Sequence, residues 1–216
     1  MKKIFFAFLI FASLFSANAA GDHSSKTFCL GISFPLIAND YKIDDFDLEK
    51  LNAVGINLNA RKISDEKKIG IFLDADIFMP YSRVIIWDEK YQTTTKLSDY
   101  DYFFGTDILA GFYGSLFRDS TINFPLGVGL HLNGFVSKYS EKKIITKESA
   151  YTVGIGAWAN FEVTVSKKVG IYAGSKFAYD FYYKSSRSRT ASVSSSRDGK
   201  CKGFTFVPAV GLLWHL

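Results

Sequence analysis

From Thr27 onward the chain alternates apolar and polar residues with a period of two, in eight segments separated by polar connections. Such alternation sends successive side chains to opposite faces of a β-strand. The segments span residues 27–37, 50–62, 68–81, 102–118, 121–138, 150–166, 168–183 and 202–216. Connections at 64–67, 119–120 and 167 are brief, whereas those at 38–49, 82–101, 139–149 and 184–201 are long and polar. Brief and long connections take strict turns. An antiparallel up-and-down barrel that crosses a membrane shows this rhythm, with tight turns on one side and larger loops on the other.

The two faces of each strand can be assigned. In segment six, Tyr151, Val153, Ile155, Ala157, Ala159, Phe161, Val163 and Val165 share one face, against Thr152, Gly154, Gly156, Trp158, Asn160, Glu162 and Thr164 on the other. Segment five sets Ile122, Phe124, Leu126, Val128, Leu130 and Leu132 against Asn123, Gly127, Gly129, His131 and Asn133. Segment seven sets Val169, Ile171, Ala173, Phe177 and Phe181 against Gly170, Gly174, Lys176 and Asp180. The apolar face is read as meeting lipid and the polar face as lining a lumen. Tyrosines 41, 81, 100, 102, 139, 151, 182 and 183 gather at the long-loop rim, and Phe28, Phe124 and Trp214 at the other, as interfacial girdles require.

The first residues set the compartment. Lys2 and Lys3, the apolar run from Ile4 to Ser16 and the small residues Ala17-Asn18-Ala19 read as a signal peptide at 1–19. The run falls short of the roughly 20 residues needed for a spanning helix. A short tail at 20–26 and a barrel domain at 27–216 follow. The formal net charge of +5 falls to +3 once Lys2 and Lys3 are removed (5 − 2).

The last strand carries a resemblance. Phe206, Val210, Leu212, Trp214 and Leu216 fall on one alternating face, and the strand resembles the carboxyl-terminal strand that outer-membrane proteins present to the barrel-assembly machinery. With the leader and the strand count, the whole mature chain is similar to small eight-stranded bacterial outer-membrane barrels of the OmpA-transmembrane-domain or OmpW type. The resemblance implies an outer-membrane, monomeric, all-β protein with both termini in the periplasm and outer-membrane lipid around it.

Eight strands enclose a space just wide enough for side chains to fill. The lumen network is read as Arg61, Asp74, Asp76, Asp107, Glu162, Lys176 and Asp180, with Asn57, Asn59, His131 and Asn133 beside them. Arg61 and Lys176 are expected to bridge to the carboxylates, since a buried charge is costly unless paired. Such a network makes a structural plug; left unpaired and hydrated, the excess of carboxylates would instead favour a thin path for cations.

The first long loop, with Asp40, Asp44, Asp45, Asp47 and Glu49, is acidic. The fourth is basic, with Lys184, Arg187, Arg189, Arg197 and Lys200 threaded through serines. It suits an acidic or sulfated surface ligand. Nucleic acid is not expected, because the charge is local to one loop and lacks an aromatic stacking platform. Neither a metal nor a cofactor is expected, the three histidines, His23, His131 and His215, being scattered. No nucleophile, base and orienting group assemble from these positions, so the chain is not expected to be an enzyme. Cys29 and Cys201 fall at opposite ends of the barrel, too far apart for a disulfide, and are expected to be free. The expected function is structural or surface-interacting through the loops; the alternatives are a narrow porin-like channel for small solutes or cations and, third, a lipid-modifying enzyme.

Overall fold

The computed structural model describes residues 24–40, 48–64, 68–87, 91–117, 121–141, 144–190 and 194–216. Residues 1–19, expected as a signal peptide, and the start of the tail lie outside the described residues, as do Tyr41, Asp44, Asp45 and Asp47 and the side chain of Arg197.

The strands are β1 (Ser24–Ser33), β2 (Leu36–Asp40), β3 (Leu48–Ser64), β4 (Ile69–Trp87), β5 (Tyr91–Lys96), β6 (Tyr102–Leu116), β7 (Ile122–Glu141), β8 (Ile144–Thr164), β9 (Val169–Arg189) and β10 (Ser195–His215). All pairings are antiparallel: the ring runs β3, β4, β6, β7, β8, β9, β10, with β5 pairing only an extension of β4, and β1 closes it against β10, from Thr27 opposite His215 to Ser33 opposite Ala209. Strands β1 and β2 form one stave, since both lie between β3 and β10. The single segment expected at 27–37 is broken at Phe34–Pro35, where proline has no N–H to continue the ladder. Pairing resumes at once: the Phe34 N–H donates to the Pro208 carbonyl, and the Ala53 N–H to the Pro35 carbonyl. The result is an eight-stave antiparallel barrel.

Two expectations about the loops are corrected. The connection expected at 82–101 contains β5, which pairs with an extension of β4 from Ser82 to Trp87. The polar stretches 139–149 and 184–201 are largely strand, because β7, β8, β9 and β10 run on for 20 or 21 residues. About 9–11 tilted residues cross a bilayer, so these strands project well beyond one. These stretches are polar, rich in serine, threonine and charged residues, and cross-strand pairing replaces the open loop.

The start of β1 and the carboxyl-terminal residue lie at the end with the short turns. The Leu216 N–H donates to the Lys26 carbonyl, and the His215 N–H to the carbonyl of Lys168 in the β8–β9 turn. The outward face is apolar from Val165 (72% exposed) and Leu130 (71%) to Ile155 (56%). In a water-soluble monomer so continuous an apolar belt would be an aggregation hazard; in lipid it is the matching surface.

Glycines make room inside. A Cβ on Gly105 would run into the Phe78 ring. That ring packs among Ile37, Leu51, Ala53, Phe103 and Phe135. Gly105→Ala is therefore expected to destabilise the folded barrel by about 1–3 kcal/mol, read as a lower urea midpoint for the chain refolded into lipid vesicles.

Candidate functional site

The inward side chains stack in layers along the barrel axis, set by the period of two on each strand. The central layer is polar. Lys176 on β9 places Nζ 2.8 Å from Asp74, 2.7 Å from Asp76 and 2.5 Å from Asp107. His131 on β7 reaches Asp107 through Nε2 at 2.8 Å and Asp180 through Nδ1 at 2.7 Å. Amides and hydroxyls satisfy the remaining oxygens: Asn57 donates to Asp74 and Asp76, Asn59 to Asp74, Asn133 to Asp107, and the Thr152 hydroxyl to Asp180 at 2.6 Å. The Tyr172 hydroxyl donates to the side-chain Oδ1 of Asn57 at 2.8 Å. No member is more than 3% exposed. Six of the eight staves meet here, and four carboxylates face one ammonium and one imidazole.

Toward the short turns lies an aromatic layer. Trp158 stacks on Phe72 with ring centroids 5.1 Å apart, and Tyr113 stands edge-on to both. Arg61 lies against it, its guanidinium 5.3 Å from the Trp158 ring and 5.7 Å from Tyr113, while NH2 bridges to Glu162 at 2.7 Å. Glu162 is also held by Asn160 and Asn123. Cys29, fully buried, sits under the same guanidinium, 3.9 Å from NH2.

Above the central layer comes the apolar cluster around Phe78, and above that a second ionic layer. Arg83 pairs with Glu49 at 2.6 Å and with Glu148 at 2.7 Å, and donates to the Tyr100 hydroxyl at 3.2 Å. Its guanidinium lies 5.2 Å from the Phe135 ring and 5.8 Å from Phe103. Arg187 holds the other Glu148 oxygen at 2.7 Å and donates to the Tyr139 hydroxyl at 2.7 Å. The Arg83–Glu148 bond joins β4 to β8, two strands that are not neighbours, so it spans the mouth of the barrel.

Bulges create this upper layer. Asn52 pairs with Ser82 but Ala53 with Pro80, so Tyr81 is an extra residue on β4. Val153 pairs with Tyr182 but Gly154 with Asp180, so Phe181 is extra on β9. Each bulge reverses the facing of the residues beyond it, which turns Arg83, Tyr183 and Arg187 inward. Replacing Arg83 by Met would leave Glu49 and Glu148 facing each other without their cation. The expected loss is about 3 kcal/mol, partly recovered in Arg83→Met/Glu49→Gln; equal urea midpoints for Arg83→Met and the parent chain would count against a clasp.

All eleven residues read from the sequence as lumen-facing point inward, and the lumen brings them into two clusters, one on Lys176 and one on Arg61. The residues assigned to the fourth loop are not brought together. Arg187 is committed to Glu148 and Tyr139, whereas Lys184, Arg189 and Lys200 are exposed on the β9–β10 extension. The layer of Glu49, Arg83 and Glu148 escapes a reading of the sequence because its members lie where open loops are expected; the β-branched run Val84-Ile85-Ile86 signals that the strand continues there, but not which way Arg83 faces. Cys29 and Cys201 are free, and both are buried. The described residues contain no cluster of three or more His, Cys, Asp or Glu suited to a metal.

Solved structures share this architecture. The outer membrane protein OprG from Pseudomonas aeruginosa superposes with a TM-score of 0.60 at 11% identity, over 90% of this chain and 97% of that one. Neisserial surface protein A gives 0.51 at 11% identity, over 87% and 96%. The outer membrane protease OmpT from Escherichia coli gives 0.52 at 10% identity, over 93% and 99%. At such identities the likeness is one of fold: this chain has the fold of the small outer-membrane barrels. No protein-family model and no curated protein sequence matches it.

Proposed function

We propose that this chain is a bacterial outer-membrane barrel with a filled lumen, acting as a structural or surface-interaction protein through the strand extensions at its long-loop end. The observation that carries the reading is the layered lumen, in which Arg61, Lys176 and Arg83 each tie distant staves together. A barrel built as a pore would keep its inward charges hydrated; here those of the two lower layers are at most 2% exposed. The apolar outward belt supports residence in a membrane. The leader, the short-turn position of Ser24 and Leu216 and the outer-membrane fold support a periplasmic location for the termini. The final strand supports delivery by the barrel-assembly machinery, and ring closure supports a monomer.

Catalysis is not part of this reading. His131, the one histidine in the central layer, has both ring nitrogens engaged by carboxylates and is 1% exposed, so a substrate would have to displace the plug to reach it. Nucleic acid has no place either. A second reading, a narrow cation path, draws on one observation: four carboxylates surround Lys176 and His131, so any opening of that layer would prefer cations.

Orientation and exposure are tested together by single cysteines introduced at Ser186, on the β9 extension, and at Lys167, in a short turn. The native thiols are buried and serve as the unlabelled control. An impermeant maleimide added to intact cells should label Ser186→Cys, and label Lys167→Cys only after lysis. Reversed labelling would overturn the proposed orientation, and absence of the chain from the outer-membrane fraction would overturn the location.

A further inference from the structure

We propose that Lys147, Lys184, Lys200 and Lys202 form a docking row for the phosphate groups of membrane-lipid headgroups, on the outward face of β8, β9 and β10 at the long-loop rim. The inference rests on the membrane reading above and gives it a specific partner.

Facing decides the matter. Beyond the Phe181 bulge, Tyr183 points inward and is 5% exposed, so Lys184 points outward, directly opposite Tyr151. Lys200 lies opposite Tyr182. Lys202 is two residues from Phe204 on the same face, and Lys147 is four residues before Tyr151. All four lysines are exposed, and Tyr151, Tyr179, Phe181 and Phe204, each 41–52% exposed, make the aromatic belt below them. The Tyr151 and Tyr182 rings lie 6.4 Å apart within that belt. Lys184 and Lys200 pair directly with Tyr151 and Tyr182, and Lys202 lies about 7 Å beyond Phe204 along its strand, so the row starts at the aromatic edge with its ammonium groups within side-chain reach of the headgroups. Lysines there extend their stems along apolar surface and leave the charge at phosphate level.

Charge complementarity favours lipid over a dissolved ligand. The acidic neighbours on this face are Asp198, opposite Lys184, and Asp40, opposite Lys202, which leaves the row an excess of two positive charges. None of the four lysines has an ion pair among the described residues. The β6–β7 rim differs: Lys138 pairs with Asp101 at 3.0 Å, and hydrogen bonds from Lys138 and Ser140 hold the Asp101 carboxyl below the usual carboxylate range. The four lysines thus lie on adjacent strands and face sideways, into the plane of the bilayer. Arg187, which a soluble anion entering from above would meet, is already bound to Glu148 and Tyr139.

The test uses the mature full chain and its Lys147→Gln/Lys184→Gln/Lys200→Gln/Lys202→Gln variant, refolded into two kinds of vesicle. One is pure phosphatidylcholine and the other carries added diphosphorylated glycolipid; the readout is the temperature at which the compact gel form is lost. The parent chain should gain about 5 °C or more from the glycolipid, and the variant should lose that gain while matching the parent in phosphatidylcholine. If the fourfold variant does not fold, Lys184→Gln/Lys200→Gln should lose about half of the gain. Equal gains in parent and variant would overturn the proposal. So would an equal rise with inorganic phosphate in phosphatidylcholine vesicles, which would place the ligand in solution, or one produced only by a sulfated polysaccharide. Failure of the parent chain to insert into any vesicle would instead overturn the membrane reading.

Discussion

Replacing Lys176 by methionine is expected to destabilise the barrel by about 3–5 kcal/mol, the cost of leaving buried charges without their partner. The size follows from the geometry. One ammonium touches three carboxylates at 2.5–2.8 Å, and no other cation reaches Asp74 or Asp76 among the described residues. Methionine fills much of the same volume, so the loss is electrostatic rather than a cavity. The check is a urea titration of the refolded chain in lipid vesicles, following the compact gel form. Neutralising the surplus with Asp76→Asn and Asp107→Asn in the same chain should restore a large part of the loss. A Lys176→Met midpoint equal to that of the parent would mean that the carboxylates are neutralised by something other than this lysine.

Arg61→Ala should cost a similar amount and, in addition, open a thiol to reagents. Its guanidinium is the partner of Glu162 and lies 5.3 Å from the Trp158 ring. It also covers Cys29, which has no exposed surface. Truncation removes the ion pair, the cation–π contact and the cover together. In the folded parent chain a small methanethiosulfonate should leave Cys29 unmodified for hours, while in folded Arg61→Ala it should react within minutes. Continued protection of Cys29 would show that Tyr172 and Leu213, its apolar neighbours, shield it unaided.

The parts of this molecule that could be read from the sequence are those governed by local alternation. Where a strand keeps strict period two, as from Ile122 to Asn133 or from Thr152 to Glu162, facing follows from parity, and the lumen residues are found by counting. Reading fails where something breaks the count. Pro35 divides the first stave because it lacks a donor. The extra residues Tyr81 and Phe181 reverse parity and so hide Arg83 and Arg187 from any count begun below them. A bulge has no composition signature of its own, since it is fixed by the stagger of neighbouring strands. The second ionic layer therefore emerged only from the three-dimensional pairing, and with it the division of the basic hairpin into an inward Arg187 and outward lysines.

The most direct test of a closed, layered lumen is single-molecule conductance of the refolded mature chain in a planar bilayer, using material whose unboiled gel mobility shows a folded barrel. The parent chain should stay silent, and the combined replacement of Lys176 by Met and Arg61 and Arg83 by Ala, where it folds, should give small cation-selective steps. Discrete cation-selective steps from the folded parent chain would contradict the closed lumen and establish the carboxylates around Lys176 as the lining of a pore.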